Sequence, residues 1–179
     1  RNAERRWEQL EGDSELAGPW HQLFRQVQSP RHVLSELLQN ADDCNAETVR
    51  VTLDEDTFTF RHDRDDFNAR AFASLCRFGY SHKRNLHTIG FRGIGFKSTF
   101  SLGDHVLVAT PTLSVAFRKQ RFTEPIWIPQ YGERHDTEVR VAISDQDRAT
   151  ELRKNLNEWA KSAASLLFFS NIRHLHIDN

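Results

Sequence analysis

The chain's 179 residues suit one packed domain, and its 38% hydrophobic and 27% charged side chains are those of an ordinary globular protein. A formal net charge of −1 and a pI near 6.8 leave no basic surplus to draw this chain to nucleic acid or to an anionic membrane. Cys44 and Cys76 form neither a zinc pattern nor a disulfide framework, no apolar run reaches the ~18 residues of a membrane span, and no signal peptide opens the chain, so a reducing, cytoplasmic setting is expected. A start at Arg1 and the absence of Met read as a piece of a longer protein.

AERRWEQL and ELAGPWHQLFRQV predict two short helices, an N-terminal helical extension over residues 1–28. The remaining residues, 29–179, read as the domain proper. Ser29-Pro30 offers an N-cap followed by a helix-starting proline. The helix it opens, to about Asp43, carries Leu34, Leu37, Leu38 and Ala41 as an apolar stripe facing a core. ETVRVTL and TFTFRH alternate around the acidic turn Asp54-Glu55-Asp56, which is a hairpin signal. DDFNARAFASLCRF predicts a second helix capped by Asp65 or Asp66. A basic loop and a glycine-rich stretch follow, then the strand-like runs DHVLVAT, LSVAF and TEVRVAI. A helix of about twenty residues from Asp145 and a last strand, IRHLHI, complete the order. Helices mixed with hairpin-connected strands predict an α+β fold, a two-layer sandwich whose mostly antiparallel mixed sheet is covered on one face by helices.

Two segments carry chemistry. Glu36, Asn40 and Asp43 share one helix face, roughly opposite the leucines. A solvated polar face would look the same. Yet a carboxylate can polarise water, an amide oxygen can ligate a hard cation, and a second carboxylate can fix a water or a base edge. The stretch TIGFRGIGFKST nearly spells a P-loop, but Phe96 stands between Gly95 and Lys97-Ser98 and turns the lysine by about 100° on a helix. Gly90, Gly93 and Gly95 still allow backbone N–H groups to approach an anion at the start of a helix. A flexible glycine turn is the alternative.

ELLQNADD, from Glu36 to Asp43, and IGFRGIGFKS, from Ile89 to Ser98, together resemble the motifs of the GHKL, or Bergerat-fold, ATPases. The sacsin-like, heat-shock-chaperone-type subgroup is similar further along, at Phe67, Leu75, Cys76, Gly79, Ser81 and Lys83, and in DTEVRVAI and LLFFSNIRHLHI. The resemblance implies ATP and Mg²⁺ as ligands. Glu36 would orient the attacking water as general base, and Asn40 would ligate the metal. Asp43 would line the pocket, and Asp63 would face adenine. Gly90, Gly93 and Gly95 would cradle phosphate, with Lys97 or Ser98 adding contacts in the first helical turn and Phe96 counted among the nucleotide-binding residues. Lys83 would belong to a lid over residues 79–88, and Thr137 would reach the pocket from its strand.

Two departures stand out: Arg64 and Asp136 occupy positions where the family has glycine. The resemblance further implies a slowly hydrolysing conformational switch, acting with other domains, protein partners or a second copy through nucleotide-dependent dimerisation. No membrane contact and no direct nucleic-acid binding are expected of this piece. The alternatives are a pseudo-ATPase scaffold and an ATP-gated clamp of a nucleic-acid-processing defence protein.

Overall fold

Where apolar residues alternate, strands form, and where they recur every third or fourth residue, helices form. In the computed structural model, which describes residues 2–13, 15, 18, 22, 29–64, 72, 73, 75, 76, 95–130 and 133–179, a first helix α1 spans Asn2–Glu11. The second, α2, spans Pro30–Asp43 and buries Val33, Leu34, Leu37, Leu38 and Ala41. Ser29 sits at its N-cap in extended conformation, but its side chain makes no capping bond, so proline alone sets that start.

The C-terminus of α2 is better defined. Asn45 takes the left-handed conformation (φ 61°) and donates its N–H to Asp42 O, while Ala46 N–H reaches back to Ala41 O. This pair of bonds is a Schellman closure, with asparagine in the place usually given to glycine.

Strands β1 (Thr48–Asp54) and β2 (Thr57–His62) form the expected hairpin, with Asp54 opposite Thr57 and Glu55 at φ 47° in the turn. A 3₁₀ helix occupies Gly95–Ser101, where an α-helix was expected. Then come β3 (His105–Ala109), β4 (Ser114–Arg118), β5 (Arg121–Trp127) and β6 (Thr137–Ala142). The helix α3 spans Gln146–Lys161, and the Asp145 carboxylate accepts the N–H groups of Asp147 and Arg148 at its start. Ser162 ends it, so the twenty-residue expectation resolves into α3 and a 3₁₀ turn over Ala163–Phe168. Strand β7 is His174–Asp178.

The seven strands lie in the order β5-β4-β3-β6-β2-β1-β7, antiparallel throughout except for β1 and β7. The chain is thus α+β, a seven-stranded mixed sheet with helices packed on it as a second layer. Val49, Val51, Phe58, Phe60, Val139 and Val141 meet the apolar stripe of α2 and Leu152 and Leu156 of α3 in one continuous core. Each such fully buried side chain contributes roughly 1.5–3 kcal/mol.

Helix α1 is packed into the domain. Trp7 on α1 is buried, packs edge-on against Phe122 at 5.1 Å, and donates its indole N–H to Thr123 at 2.8 Å. Most of the second expected helix, from Asp65 to Phe78, lies outside the described residues; Phe72, Ala73 and Leu75 within it are helical.

Candidate functional site

Glu36 and Gly95 meet although 59 positions of sequence separate them. The helix α2 lies along the 3₁₀ helix, and a Cβ added to Gly95 would fall onto the Glu36 carboxylate, 3.1 Å from its carboxyl carbon. A side chain at Gly95 would therefore displace the end of the Glu36 side chain, and glycine lets backbone and carboxylate approach this closely. Burial raises the Glu36 carboxyl above the ordinary carboxylate range, and His32, one turn earlier on α2, pulls it partly back.

Asn40 and Asp43 follow Glu36 on the same helix, both half-buried. Among the described residues the Asn40 amide makes no side-chain hydrogen bond, which leaves its oxygen available to a hard cation. No cluster of three or more His, Cys, Asp and Glu side chains is placed to hold a metal among the described residues.

Three residues after the glycines point elsewhere than expected. Lys97 does not present its amine to a phosphate; it is 1% exposed, and Nζ donates to Leu75 O at 2.6 Å and Phe122 O at 2.7 Å. The rings of Phe96, Phe117 and Phe122 lie 5.0–5.8 Å from that nitrogen. Ser98 is likewise buried, and its hydroxyl donates to Gly95 O at 2.7 Å. Phe96 packs edge-on against Phe117 at 5.8 Å in the core. The physical reason is the 3₁₀ geometry: with three residues per turn, consecutive side chains lie about 120° apart, and this helix is wedged between α2 and the sheet.

His62 and Thr137 stand opposite each other on β2 and β6. Thr137 is buried, and its hydroxyl donates to Arg64 O at 2.6 Å. The Asp63 carboxylate is exposed and accepts the Glu47 N–H at 3.1 Å. Arg64, in a family glycine position, has no left-handed backbone; its guanidinium reaches Asn45 O at 3.1 Å and Glu47 at 3.0 Å. Asp136, the other departure, is held by Arg134 at 2.9 Å and faces Arg61 at 3.9 Å, so its charge is answered locally.

Sequence reasoning missed this arginine cluster. Glu138, 1% exposed, is gripped by Arg61 at 2.6 Å, Arg134 at 3.3 Å and Arg140 at 2.9 Å. Although burial opposes it, these arginines hold the Glu138 carboxyl below its usual range. The alternation Arg-x-Asp-x-Glu-x-Arg from Arg134 to Arg140 was the available signal. Asp42 was missed too: its carboxylate accepts the N–H groups of Ser170, Asn171 and Ile172 at 2.7–3.0 Å.

Gly90, Gly93, Lys83 and the expected lid over residues 79–88 lie outside the described residues. The His174–His176 pair is exposed on β7, with no third metal ligand beside it among the described residues. Cys44 and Cys76 are both half-buried thiols. A cleft of about 440 Å³ lined by Trp159, Leu166, Leu175, His176 and Ile177 contains none of the residues that the ATPase resemblance implies. No helix among the described residues is long and apolar enough to cross a membrane. Comparison with known protein families and with curated protein sequences finds no match to this chain.

Proposed function

We propose that the chain is an ATP-binding domain of the Bergerat type, which takes ATP with Mg²⁺, hydrolyses it slowly, and serves as a conformational switch in a larger chaperone-like or defence-type protein. One observation carries the reading: the Glu36 carboxylate lies against Gly95, at the end of the glycine stretch, with Asn40 and Asp43 following it on α2. A base and a backbone that can approach phosphate are thereby side by side.

In that site Glu36 accepts a proton from, or orients, the attacking water. A carboxyl whose affinity for protons is raised by burial does this better near neutrality than a surface one. Asn40 supplies a neutral oxygen ligand, and Asp43 lines the pocket beyond it. The cation, when bound, neutralises charge developing on the phosphates. Phosphate recognition falls to the glycine backbone and Lys83, since Lys97 and Ser98 are committed to the core.

The test is calorimetric titration of ATP into the chain, with and without Mg²⁺, for the native sequence, Asn40→Ala and Asp63→Asn. The expected result is Mg²⁺-dependent binding, lost in Asn40→Ala and weakened in Asp63→Asn. No binding at millimolar ATP would overturn it.

A second reading, a pseudo-ATPase scaffold, has its own observation. The Asp63 carboxylate, expected to face adenine, and the Thr137 hydroxyl, expected to reach the pocket, are engaged by Glu47 N–H and Arg64 O. That reading wins if Asp63→Asn leaves ATP binding unchanged and no turnover accompanies it.

A further inference from the structure

A buried amine needs a reason, because an apolar side chain of the same volume costs far less to bury. Lys97 has two. Strand β5 leaves the β4 ladder between the Ala116–Ile126 and Arg118–Arg121 pairs, so Phe117 faces the whole run Phe122–Pro125. In that irregular stretch the Phe122 carbonyl takes the Lys97 amine at 2.7 Å. The same nitrogen donates to Leu75 O at 2.6 Å, on the segment leading up to the glycine stretch. One side chain therefore ties together three parts of the chain: the 3₁₀ helix, β5 and the segment at Leu75.

We propose that Lys97 is a positioning residue, which holds the first turn of the 3₁₀ helix so that Gly95 stays against the Glu36 carboxylate. Lys97 lies two residues beyond Gly95 in that turn. Short 3₁₀ helices have poor intrinsic hydrogen-bond geometry and depend on outside contacts. Ser98 and Thr99 bond to Gly95 O and Phe96 O, which tightens the turn on itself without fixing it in space. At its far end the helix is anchored by Arg148, which donates to Ser101 O at 2.8 Å. Lys97 is the matching polar anchor at the near end, directed to β5 and to Leu75 rather than to α3.

The ring faces around the amine favour its charged form, while burial draws it down to about 7 against the influence of Cys76. Both protonation states keep at least two N–H donors for the two carbonyls, so the anchor survives the titration.

This inference rests on the reading of Glu36 as a base only for its effect on turnover; the contact itself is testable without nucleotide. The experiment is nuclear magnetic resonance of the whole chain, following the Gly95 amide and the Glu36 side-chain carboxyl at fixed pH. The variants are Lys97→Met, Lys97→Gln and a control, Leu53→Ala, at the hairpin end of β1. Lys97→Met fills the volume but removes the Nζ donor from both carbonyls. Should it fail to fold, Lys97→Gln keeps one amide donor group and supplies the same comparison.

The expected result is a displaced Gly95 amide and Glu36 carboxyl, with hydrogen exchange at residues 95–98 accelerated at least tenfold. Amides of β1 and β6 stay protected in step with overall stability. Unmoved Gly95 and Glu36 signals in a folded Lys97 variant would overturn the proposal. So would equal displacement in Leu53→Ala, which would assign Lys97 a general packing role. Should the signals move as expected while the native chain binds no ATP, the anchor stands and the nucleotide reading falls.

Discussion

Glu36 combines two properties that seldom occur together on a helix surface: partial burial and a glycine backbone at contact distance. Replacing it by glutamine keeps the shape and removes the base. The expected outcome for Glu36→Gln is ATP affinity within about threefold of the native chain and turnover reduced by roughly 10²–10⁴-fold, read by calorimetry and phosphate release. Because the folded carboxyl titrates above its ordinary range, native turnover rises with pH through that raised value and then levels; Glu36→Gln loses that limb.

Lys97 gives a second residue-scale signature. Its amine falls from 10.5 to about 7 on folding, so between those values the unfolded chain binds the extra proton. Stability from this group is therefore complete above its unfolded value and is lost as pH falls toward 7. The difference in unfolding free energy between the native chain and Lys97→Met is expected to grow from pH 7 to pH 10, by at most about 1.4 kcal/mol per pH unit. Denaturant melts across that range measure it, and a pH-independent difference would contradict it.

At the scale of elements, α2 is tied to β7 by a single carboxylate. Asp42 takes three backbone N–H groups of residues 170–172, and Asn171 returns a bond to Asp42 O at 2.9 Å. Removing that acceptor leaves part-buried N–H groups unanswered just before the edge strand. Asp42→Ala is expected to cost about 2–4 kcal/mol, which a denaturant midpoint registers. Asp43→Ala, beside it, is expected to weaken nucleotide binding more than stability.

Alternation made β1, β2, β3, β4 and β6 legible, and the leucine stripe made α2 legible, because these patterns are local. Strand β5 was not legible: Pro125 interrupts it, its burial does not alternate, and only an edge position with a broken ladder accommodates it. Glu36, Asn40 and Asp43 could be read from one helix. The fate of Lys97 could not, since it is decided by carbonyls at positions 75 and 122. The hydrogen bonds of Asp63 and Thr137 could not be read either, since they depend on Glu47 and Arg64.

Over the whole molecule, the two ends of the chain attend to opposite edges of one sheet. The α1 helix packs on β5, with Trp7 in the core and Glu11 paired to Arg121 at 2.8 Å, while β7 forms the other edge. Trp7→Ala is expected to cost about 3–5 kcal/mol, as much as a change in the domain's centre. Chemical denaturation followed by circular dichroism tests this; a loss below about 1 kcal/mol would return α1 to the status of an appendage.

The parallel pairing of β1 with β7 joins Thr48 to His174 and Val51 to Ile177. During synthesis β1 therefore leaves the ribosome about 125 residues ahead of its outer neighbour, an interval on the order of ten seconds at ~5–20 residues per second. Throughout it, Val49, Val51 and Leu53 lack the outer partner that the folded sheet gives their strand. The nascent chain is then most prone to pairing with a neighbour of its own kind. That hazard ends only when the last strand arrives.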